Sequence, residues 1–402
     1  MNAFIRKCAG LALAGAALFG SIAHGADKPP VLIGLDAEFG HKTSTSAQAI
    51  QRGMEIAIDE INRKGGVLGG RKLELVITDN RSIPAMGVDN LRELARRPDL
   101  VAVFGGKFTP VVMESVPVAH ELGIPLMAPW SSADGITDHD RKPSYSFRLS
   151  LKDAWAATAL LRFAREERNA SRVGVILPNT AWGRSNQAAL AREAGRAGVT
   201  VVGERWYNWG DKSLIEVYQE VRKLGAQAVI LVANEGEGGV LVREVAALPD
   251  AERLPLVSHW GVTGGALGAL AGDALQKVDL TVVQTFSFIG ARSPTAERVM
   301  AALETRYGID RPEKIRSPVG VAHAYDLTHI LALAIDKAGS ADRRKIRDAL
   351  ERLGPYDGLV RRYNPPFTPD RHDALSGSDV FMARYMPDDT LIPVPWRTRK
   401  PR

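Results

Sequence analysis

The sequence is poor in cysteine, and this limits the chemistry that it can support. Its 402 residues include one cysteine, Cys8, which precedes an N-terminal apolar run in a segment that we expect to be removed. The remaining chain has no thiol, so we expect neither a disulfide nor a thiolate metal site. Its stability must come from core burial, which a chain of this length can supply.

The chain also lacks the motifs of common exported enzymes. It has no Gly-x-Ser-x-Gly stretch, which an α/β hydrolase needs for its nucleophile, and no His-Glu-x-x-His zinc motif. The glycine-rich residues 65–70 do not have the spacing of a dinucleotide-binding loop and do not open a helix after a strand. We therefore expect no catalytic residue, no cofactor and no metal ion.

Apart from its first residues, the sequence has no long apolar run. Arg6 and Lys7 precede the apolar residues 9–19, and small residues then stand at the first and third positions of residues 23–25. These are the three parts of a secretory signal peptide, and the run is too short to span a bilayer. We expect residues 1–25 to be a cleaved signal peptide and the protein to be periplasmic.

The net charge of +6 does not form a basic patch in the sequence. The lysine and arginine groups are interleaved with acids or lie at the C-terminus. A basic chain can bind nucleic acid, but export argues against such a partner. A solvated basic surface is the better interpretation.

Short apolar strands alternate with amphipathic helices in two successive series. The strands of the first series are predicted at residues 31–35, 73–77, 101–104 and 124–127. Those of the second are predicted at residues 172–177, 199–202, 228–232 and 254–257. A further strand at 281–284 is followed by helices at 294–307, 318–338 and 341–353, and by short antiparallel strands within 356–385. This alternation predicts two parallel sheets, each covered on both faces by helices.

Ligands bind beyond the carboxyl ends of the strands in such sheets. Thr109 is predicted to cap the helix that follows the third strand, with Pro110 as its first residue. This helix start and the nearby Lys107 would form an anion site.

The strand exits are rich in hydroxyls and aromatic side chains, which suits a closed pocket with a few orienting polar contacts. The candidate ligand-binding residues are Phe39, Lys107, Phe108, Thr109, Trp130, Ser131, Ser132, Trp182, Asn234, Glu235 and Trp260. Structural roles stay open: Thr109 as a simple cap, Trp182 and Trp260 as packing between lobes, and Glu235 as a solvated acid.

An ordered set of motifs resembles one family over nearly the whole chain. The motifs lie at residues 33–35, 53–62, 65–70, 104–106, 123–129, 172–176 and 322–326. The chain resembles the type I periplasmic binding proteins of the leucine/isoleucine/valine-binding group, which are solute receptors of ABC transporters. The resemblance implies an α/β fold of two doubly wound lobes joined by three crossovers, near Phe147, Thr285 and Tyr356. Lobe 1 would comprise residues 26–148 and 285–356, and lobe 2 residues 149–284 and 357–402.

The resemblance also implies a function and places for its contacts. A monomer would capture a small amino acid or organic acid by hinge closure and present it to a membrane ABC permease. Thr109 stands where the family holds a carboxylate by a hydroxyl, and Trp130 and Ser132 stand where it uses a carbonyl and a hydroxyl. Trp260 stands where amino-acid binders carry the acid that holds the ammonium. This departure favours an organic or aromatic acid, although Glu235 as a substitute partner keeps the amino acid open.

Two other functions remain alternatives at this point. The same fold serves as the ligand-sensing component of signalling systems, and no residue in the chain separates the two roles. An exported hydrolase would need a base and an oriented acid beside a nucleophile, and the sequence shows no such pairing.

Overall fold

The computed structural model describes residues 28–396, so the predicted signal peptide lies outside the described residues. The first series of elements consists of β1 (Val31–Ala37), α1 (Ser46–Arg63), β2 (Leu73–Asp79), α2 (Pro84–Ala95), β3 (Leu100–Gly105), α3 (Thr109–Leu122), β4 (Leu126–Ala128) and β5 (Ser146–Arg148). Its strands form a parallel sheet in the order β2-β1-β3-β4-β5. α2 and α3 pack on one face around an apolar cluster that includes Leu91, Leu100 and Val112.

The second series builds a separate sheet. It consists of α4 (Asp153–Glu167), β6 (Arg172–Pro178), α5 (Ala181–Ala194), β7 (Thr200–Tyr207), α6 (Ile215–Lys223), β8 (Ala228–Leu231), α7 (Glu235–Ala246), β9 (Leu256–Ser258), α8 (Leu267–Ala271) and β10 (Leu280–Gln284). The strand order β10-β9-β8-β6-β7 is parallel throughout. The central strands β6 and β8 are buried on both faces, so they are nearly continuous runs of Val, Ile and Leu.

The C-terminal part returns to both sheets. It consists of α9 (Pro294–Tyr307), α10 (Pro318–Ala338), α11 (Arg343–Leu350), β11 (Tyr356–Asp357), β12 (Arg362–Tyr363), β13 (Phe381–Tyr385) and β14 (Leu391–Pro393). α10 packs along α1 beside the first sheet, whereas β13 pairs antiparallel with β10 and extends the second sheet. The chain thus passes between the sheets three times, and the predicted fold of two Rossmann-like lobes is confirmed.

The exact division of the chain between the lobes stays a prediction. The β11–β12 hairpin is held to α10 by the carboxylate of Asp326, which accepts hydrogen bonds from the backbone N–H groups of Leu359 (2.6 Å) and Val360 (2.9 Å). Residues 357–363 therefore lie beside the helices of the first lobe in this structure.

α10 is the central helix of the first lobe. It is the one helix of the described chain whose length and apolar character would suit a membrane span, but most of its surface is buried against the rest of the protein. α1 crosses it closely at Gly53, where a Cβ would lie 2.2 Å from the carbonyl oxygen of Val321. The two helices can therefore pack this closely only because residue 53 is a glycine.

Several element boundaries differ from the sequence predictions, and the differences matter for the site. β7 continues to Tyr207, five residues beyond its predicted end, because its polar residues lie on a partly exposed edge strand. α5 begins at Ala181, where the Thr180 hydroxyl accepts a hydrogen bond from Gly183 N. α7 begins at Glu235. Trp182 and Glu235 therefore lie in the first turns of helices and not in loops.

Candidate ligand-binding site

The carboxyl ends of the two sheets face each other across a small cavity. Side chains and backbone from both lobes surround this narrow space. The lining residues are Lys107, Phe108, Thr109, Trp130, Ser132, Trp182, Trp209, Asn234, Trp260 and Gly261. The cavity lies where the strand-exit rule for open parallel sheets expects a ligand.

The structure brings eight of the eleven candidate residues to this cavity, while Phe39, Ser131 and Glu235 do not line it. Phe39 packs on the core from a turn. The Ser131 hydroxyl is used internally, because it donates to the carbonyl oxygen of Gly106 at 2.8 Å. The role of each candidate in binding stays a prediction.

Trp209 is the lining side chain that the sequence reasoning missed. It lies two residues after Tyr207, the last residue of β7. Because this strand was predicted to end at residue 202, position 209 was not expected to lie at a strand exit. The aromatic run Trp206-Tyr207 before Trp209 was the available signal that the strand continued, since aromatic residues favour strands.

The start of α3 differs from the prediction in one detail. Phe108, in an extended conformation, is the N-cap, Thr109 is the first helical residue and Pro110 the second. The predicted cap role of Thr109 is therefore wrong, because no side chain caps this helix. Instead the Thr109 hydroxyl oxygen lies 3.4 Å from the Ser132 backbone N–H, which donates to it. This contact joins the loops after β3 and β4.

Aromatic rings form the walls of the cavity. The ring centroids of Trp130 and Trp260 lie 5.5 Å apart at a tilt of 46°. Phe108 meets Trp209 edge-on at 5.0 Å. These pairs join the first lobe to the second, because Phe108 and Trp130 follow strands of the first sheet and the two others follow strands of the second. Contacts of this geometry add to the energy of simple area burial.

A buried ion pair crosses between the lobes beside the cavity. Lys107 Nζ lies 2.6 Å from Glu235 Oε2, with both side chains almost fully buried. The Thr43 hydroxyl donates to the other carboxylate oxygen of Glu235 at 3.0 Å. Burial alone would raise the pKa of Glu235, but the adjacent Lys107 ammonium and these hydrogen bonds outweigh it and lower the pKa. Glu235 is thus ionised, and the Lys107 ammonium balances its charge.

A second buried carboxylate, Glu38, follows β1 and was not among the candidates. It accepts hydrogen bonds from the hydroxyls of Ser44 and Ser46 and from the backbone N–H of Lys107, the last at 3.2 Å. A Cβ at Gly106 would lie 2.3 Å from its Oε2 atom, so this glycine admits the carboxylate. The hydroxyl-rich loop after β1 thus serves Glu38.

Further hydrogen bonds hold the lobes against each other around the cavity. The backbone N–H of Thr45 donates to the carbonyl oxygen of Gly264 at 2.7 Å. On the other side, Arg192 of α5 lies 2.8 Å from the carboxylate of Asp134 in the first lobe. The cleft is therefore bridged from both rims in this structure.

Two buried histidines support the tryptophans from behind. His323 Nδ1 lies 2.9 Å from the carbonyl oxygen of Pro129, and Nε2 lies 3.0 Å from the Thr285 hydroxyl. Burial lowers the pKa of His323 to about 4, so the imidazole is neutral. His259, whose ring meets Trp182 edge-on, lies 3.1 Å from the Asp153 carboxylate.

The ligand sets of metal ions such as zinc combine His, Cys, Asp and Glu side chains. Among residues 28–396, no group of three or more His, Cys, Asp or Glu side chains is placed to hold a metal ion. The arrangement is a narrow aromatic cavity at the start of α3, lined by hydroxyl and indole groups that can donate hydrogen bonds.

Comparisons with known proteins identify the family and support the fold. The family model described as periplasmic binding protein matches residues 30–384. A Leu/Ile/Val-binding protein homolog of Brucella abortus is 24% identical over 352 residues, which cover 87% of this chain and 89% of the relative. A type 1 periplasmic binding protein from Bordetella pertussis superposes with a TM-score of 0.81 at 22% identity, covering 91% of this chain and 100% of its own.

A third similar protein has this fold and was solved with a bound ligand. A solute-binding protein of an ABC transporter from R. palustris, in complex with benzoate, has a TM-score of 0.74 at 18% identity over 91% of this chain and 95% of its own. The family match spans both lobes and includes every residue that lines the cavity. The chain therefore belongs to the type I periplasmic binding proteins, in the leucine/isoleucine/valine-binding family of ABC-transporter solute-binding proteins.

Proposed function

We propose that this protein captures a small carboxylate-bearing solute, an organic acid or an amino acid, between its two lobes. The exported protein delivers the solute to a membrane ABC permease and performs no chemistry on it. The observation that carries this proposal is the cavity itself, which both lobes line with aromatic rings and hydroxyls. The similar proteins include a Leu/Ile/Val-binding protein homolog and a solute-binding protein in complex with benzoate, which is consistent with either kind of solute.

The carboxylate of the solute would lie at the start of α3. No side chain caps this helix. The N–H groups of Val111 and Val112 donate to the Phe108 carbonyl oxygen, and the positive end of the helix dipole favours an anion beside Thr109. The hydroxyls of Thr109 and Ser132 flank the same point and line the cavity. Together they can donate to both oxygens of one carboxylate.

Capture would proceed by a hinge motion of the lobes. Because the cavity is surrounded from both lobes, a solute of useful size can enter only when they separate. The three segments that join the sheets permit such a motion, as in other hinge-closing proteins. Binding shifts the population toward the closed form by the difference in affinity between the two forms. The permease would then recognise a monomer by the outer faces of its closed lobes.

A thermal-shift screen of small acids and amino acids against the mature chain tests the proposal. A solute that binds the folded protein raises its apparent stability, and calorimetry then gives the affinity. Thr109→Ala and Ser132→Ala should each weaken binding by about 1.5–3 kcal/mol, the value of a hydrogen bond to a charged group. Thr305→Ala, on the exposed face of α9, is the control and should bind normally.

Two results would contradict the proposal. If no acid or amino acid in the screen changes the melting temperature, the protein does not capture solutes of this class. If both alanine variants bind the solute as the wild type does, the carboxylate does not lie at the start of α3.

A further inference from the structure

Three tryptophans present unpaired donors at the cavity. The indole Nε1 atoms of Trp130, Trp182 and Trp209 are each shielded from solvent and have no hydrogen-bond partner within residues 28–396. All three side chains line the same cavity. An indole N–H can donate but cannot accept, and a buried donor without a partner is costly. The cavity is therefore matched to a ligand that brings acceptor atoms.

The three donors belong to different parts of the molecule. Trp130 follows β4 of the first lobe, Trp182 lies in the first turn of α5, and Trp209 follows β7 of the second lobe. Trp130 and Trp182 are almost fully buried, with 1% and 5% of their surfaces exposed. A ligand that accepts from all three would bridge the lobes by hydrogen bonds as well as by ring contacts.

The charges around the cavity oppose a ligand with an ammonium group. Of the described residues that line the cavity, Lys107 is the one with a charged side chain, and its ammonium is paired with Glu235 at 2.6 Å. Two further buried carboxylates lie near the cavity without lining it. Glu38 accepts hydrogen bonds from Ser44, Ser46 and the Lys107 backbone, and Asp153 lies behind Ser132 with one oxygen against His259. An α-amino acid would bury its ammonium against described lining residues that include no carboxylate, which is strongly unfavourable.

The walls favour a flat ring over a branched aliphatic chain. The Trp130 and Trp260 rings are tilted toward each other, and Phe108 and Trp209 meet edge-on. Aromatic side chains gain from offset or edge contacts with another ring beyond the area that they bury. An aliphatic side chain would gain burial but not this additional interaction.

We infer that the solute is an aromatic carboxylate without an ammonium group, held by the indole N–H groups, and that the Lys107–Glu235 ion pair is the element that excludes α-amino acids. This inference rests on the proposed function and names the substrate class of the same site. Lys107 is a specificity-determining residue here because it occupies the carboxylate that an ammonium would need.

Calorimetry with one matched pair of ligands tests the exclusion directly. 3-Phenylpropionate and phenylalanine differ only in the α-ammonium group. The mature wild-type protein should bind 3-phenylpropionate or benzoate, and should bind phenylalanine and leucine at least roughly 100-fold more weakly. In Lys107→Met the Glu235 carboxylate loses its cation, so the ratio of affinities should shift toward phenylalanine by at least roughly 10-fold.

Phenylalanine substitutions test the indole donors, because they keep an aromatic ring and remove the N–H group. Trp182→Phe and Trp209→Phe should each weaken binding of the aromatic acid by roughly 10-fold. Trp209 is partly exposed, so its variant provides a readout if Trp182→Phe fails to fold. Trp155→Phe, in α4 and away from the cavity, is the control and should bind normally.

The outcomes separate this inference from the proposed function. Leucine or phenylalanine binding as tightly as the aromatic acids would overturn the inference and leave the proposed function standing. Unchanged binding by both indole variants would overturn the donor role. No binding by any acid or amino acid would overturn both the inference and the proposed function.

Discussion

Lys107 Nζ lies 2.6 Å from Glu235 Oε2, and this contact joins a residue that follows β3 of the first lobe to the first residue of α7 in the second. Both side chains are almost fully buried. Removing one member of a buried pair is far more costly than the pair itself is stabilising, because the remaining charge is left uncompensated. In a protein with a hinge, opening the cleft relieves that cost by hydrating the charge.

Lys107→Met should therefore favour the open form. The unpaired Glu235 carboxylate costs about 3–5 kcal/mol in the closed cleft, and part of that cost is avoided when the lobes separate. We expect a larger radius of gyration by small-angle X-ray scattering and stronger acrylamide quenching of tryptophan fluorescence. The measurement depends on the proposed hinge motion.

A double variant separates charge from size. Lys107→Met combined with Glu235→Gln removes both charges, so it should return the radius of gyration toward the wild-type value. Arg96→Met, which breaks an exposed pair with Glu93, should change neither observable, since surface pairs contribute about 0–1 kcal/mol. A single variant as compact as the wild type would show that the pair does not hold the lobes together.

The architecture of this protein and most of the residues that line the cavity could be predicted from the sequence. Alternating strands and helices predicted both sheets, because strands buried on two faces must be apolar along their length. The rule for strand exits then led to Thr109, Trp130 and Ser132, which line the cavity.

The pairing of side chains across the cleft could not be predicted in this way. Lys107 and Glu235 are 128 residues apart in the chain, and no local pattern indicates which exits of the two sheets meet. Glu235 therefore remained a candidate partner for a ligand ammonium, whereas the structure pairs it with Lys107. Trp209 was missed because the end of β7 was predicted too early. The end of a buried strand is recognised where its apolar run stops, but β7 is a partly exposed edge strand with polar residues.

His323 should make stability depend on pH between about 6.5 and 4. Burial lowers the pKa of this histidine to about 4 in the folded protein, whereas an unfolded histidine titrates near 6.5. The folded state then binds fewer protons than the unfolded state in this window, so stability is full above pH 6.5 and falls as the pH drops toward 4. The loss should be about 3 kcal/mol.

Urea unfolding at pH 7, 5.5 and 4 measures this contribution in the wild type and in His323→Gln. The difference between the two free energies of unfolding should be largest at pH 7 and should shrink by about 3 kcal/mol at pH 4. Subtraction cancels the other buried histidines, provided that distant sites contribute additively. Parallel curves for the two proteins would mean that His323 does not titrate as described.

Asp373 should make stability depend on pH in a more acidic window than His323 does. Burial would raise its pKa, but Arg148 at 2.7 Å and Lys152 at 3.2 Å outweigh burial and hold the pKa at about 2. Its stabilisation is therefore present above the unfolded pKa near 3.9 and is lost as the pH falls toward 2. The free-energy difference between wild type and Asp373→Asn should shrink by about 2 kcal/mol from pH 5 to pH 2; a constant difference would contradict the ion-pair explanation.

Gly53 and Gly195 offer a matched test of helix packing. A Cβ at Gly53 would lie 2.2 Å from the Val321 carbonyl oxygen and 3.1 Å from the Tyr325 nitrogen, so Gly53→Ala must push α1 away from α10. Overpacking of this kind costs about 1–3 kcal/mol. Gly195, with φ −62°, has no atom within 4 Å of an added Cβ, so Gly195→Ala should stabilise by about 0.4–1 kcal/mol through the unfolded chain.

The displacement of α1 should also reach the binding site. α1 begins at Ser46, whose hydroxyl donates to Glu38 beneath the Lys107 backbone. Gly53→Ala should therefore weaken solute binding as well as lower the urea midpoint, while Gly195→Ala should leave the affinity unchanged. Equal urea midpoints for the two variants would contradict the close approach of α1 and α10. A destabilised Gly53→Ala with wild-type affinity would show instead that the site does not depend on the position of α1.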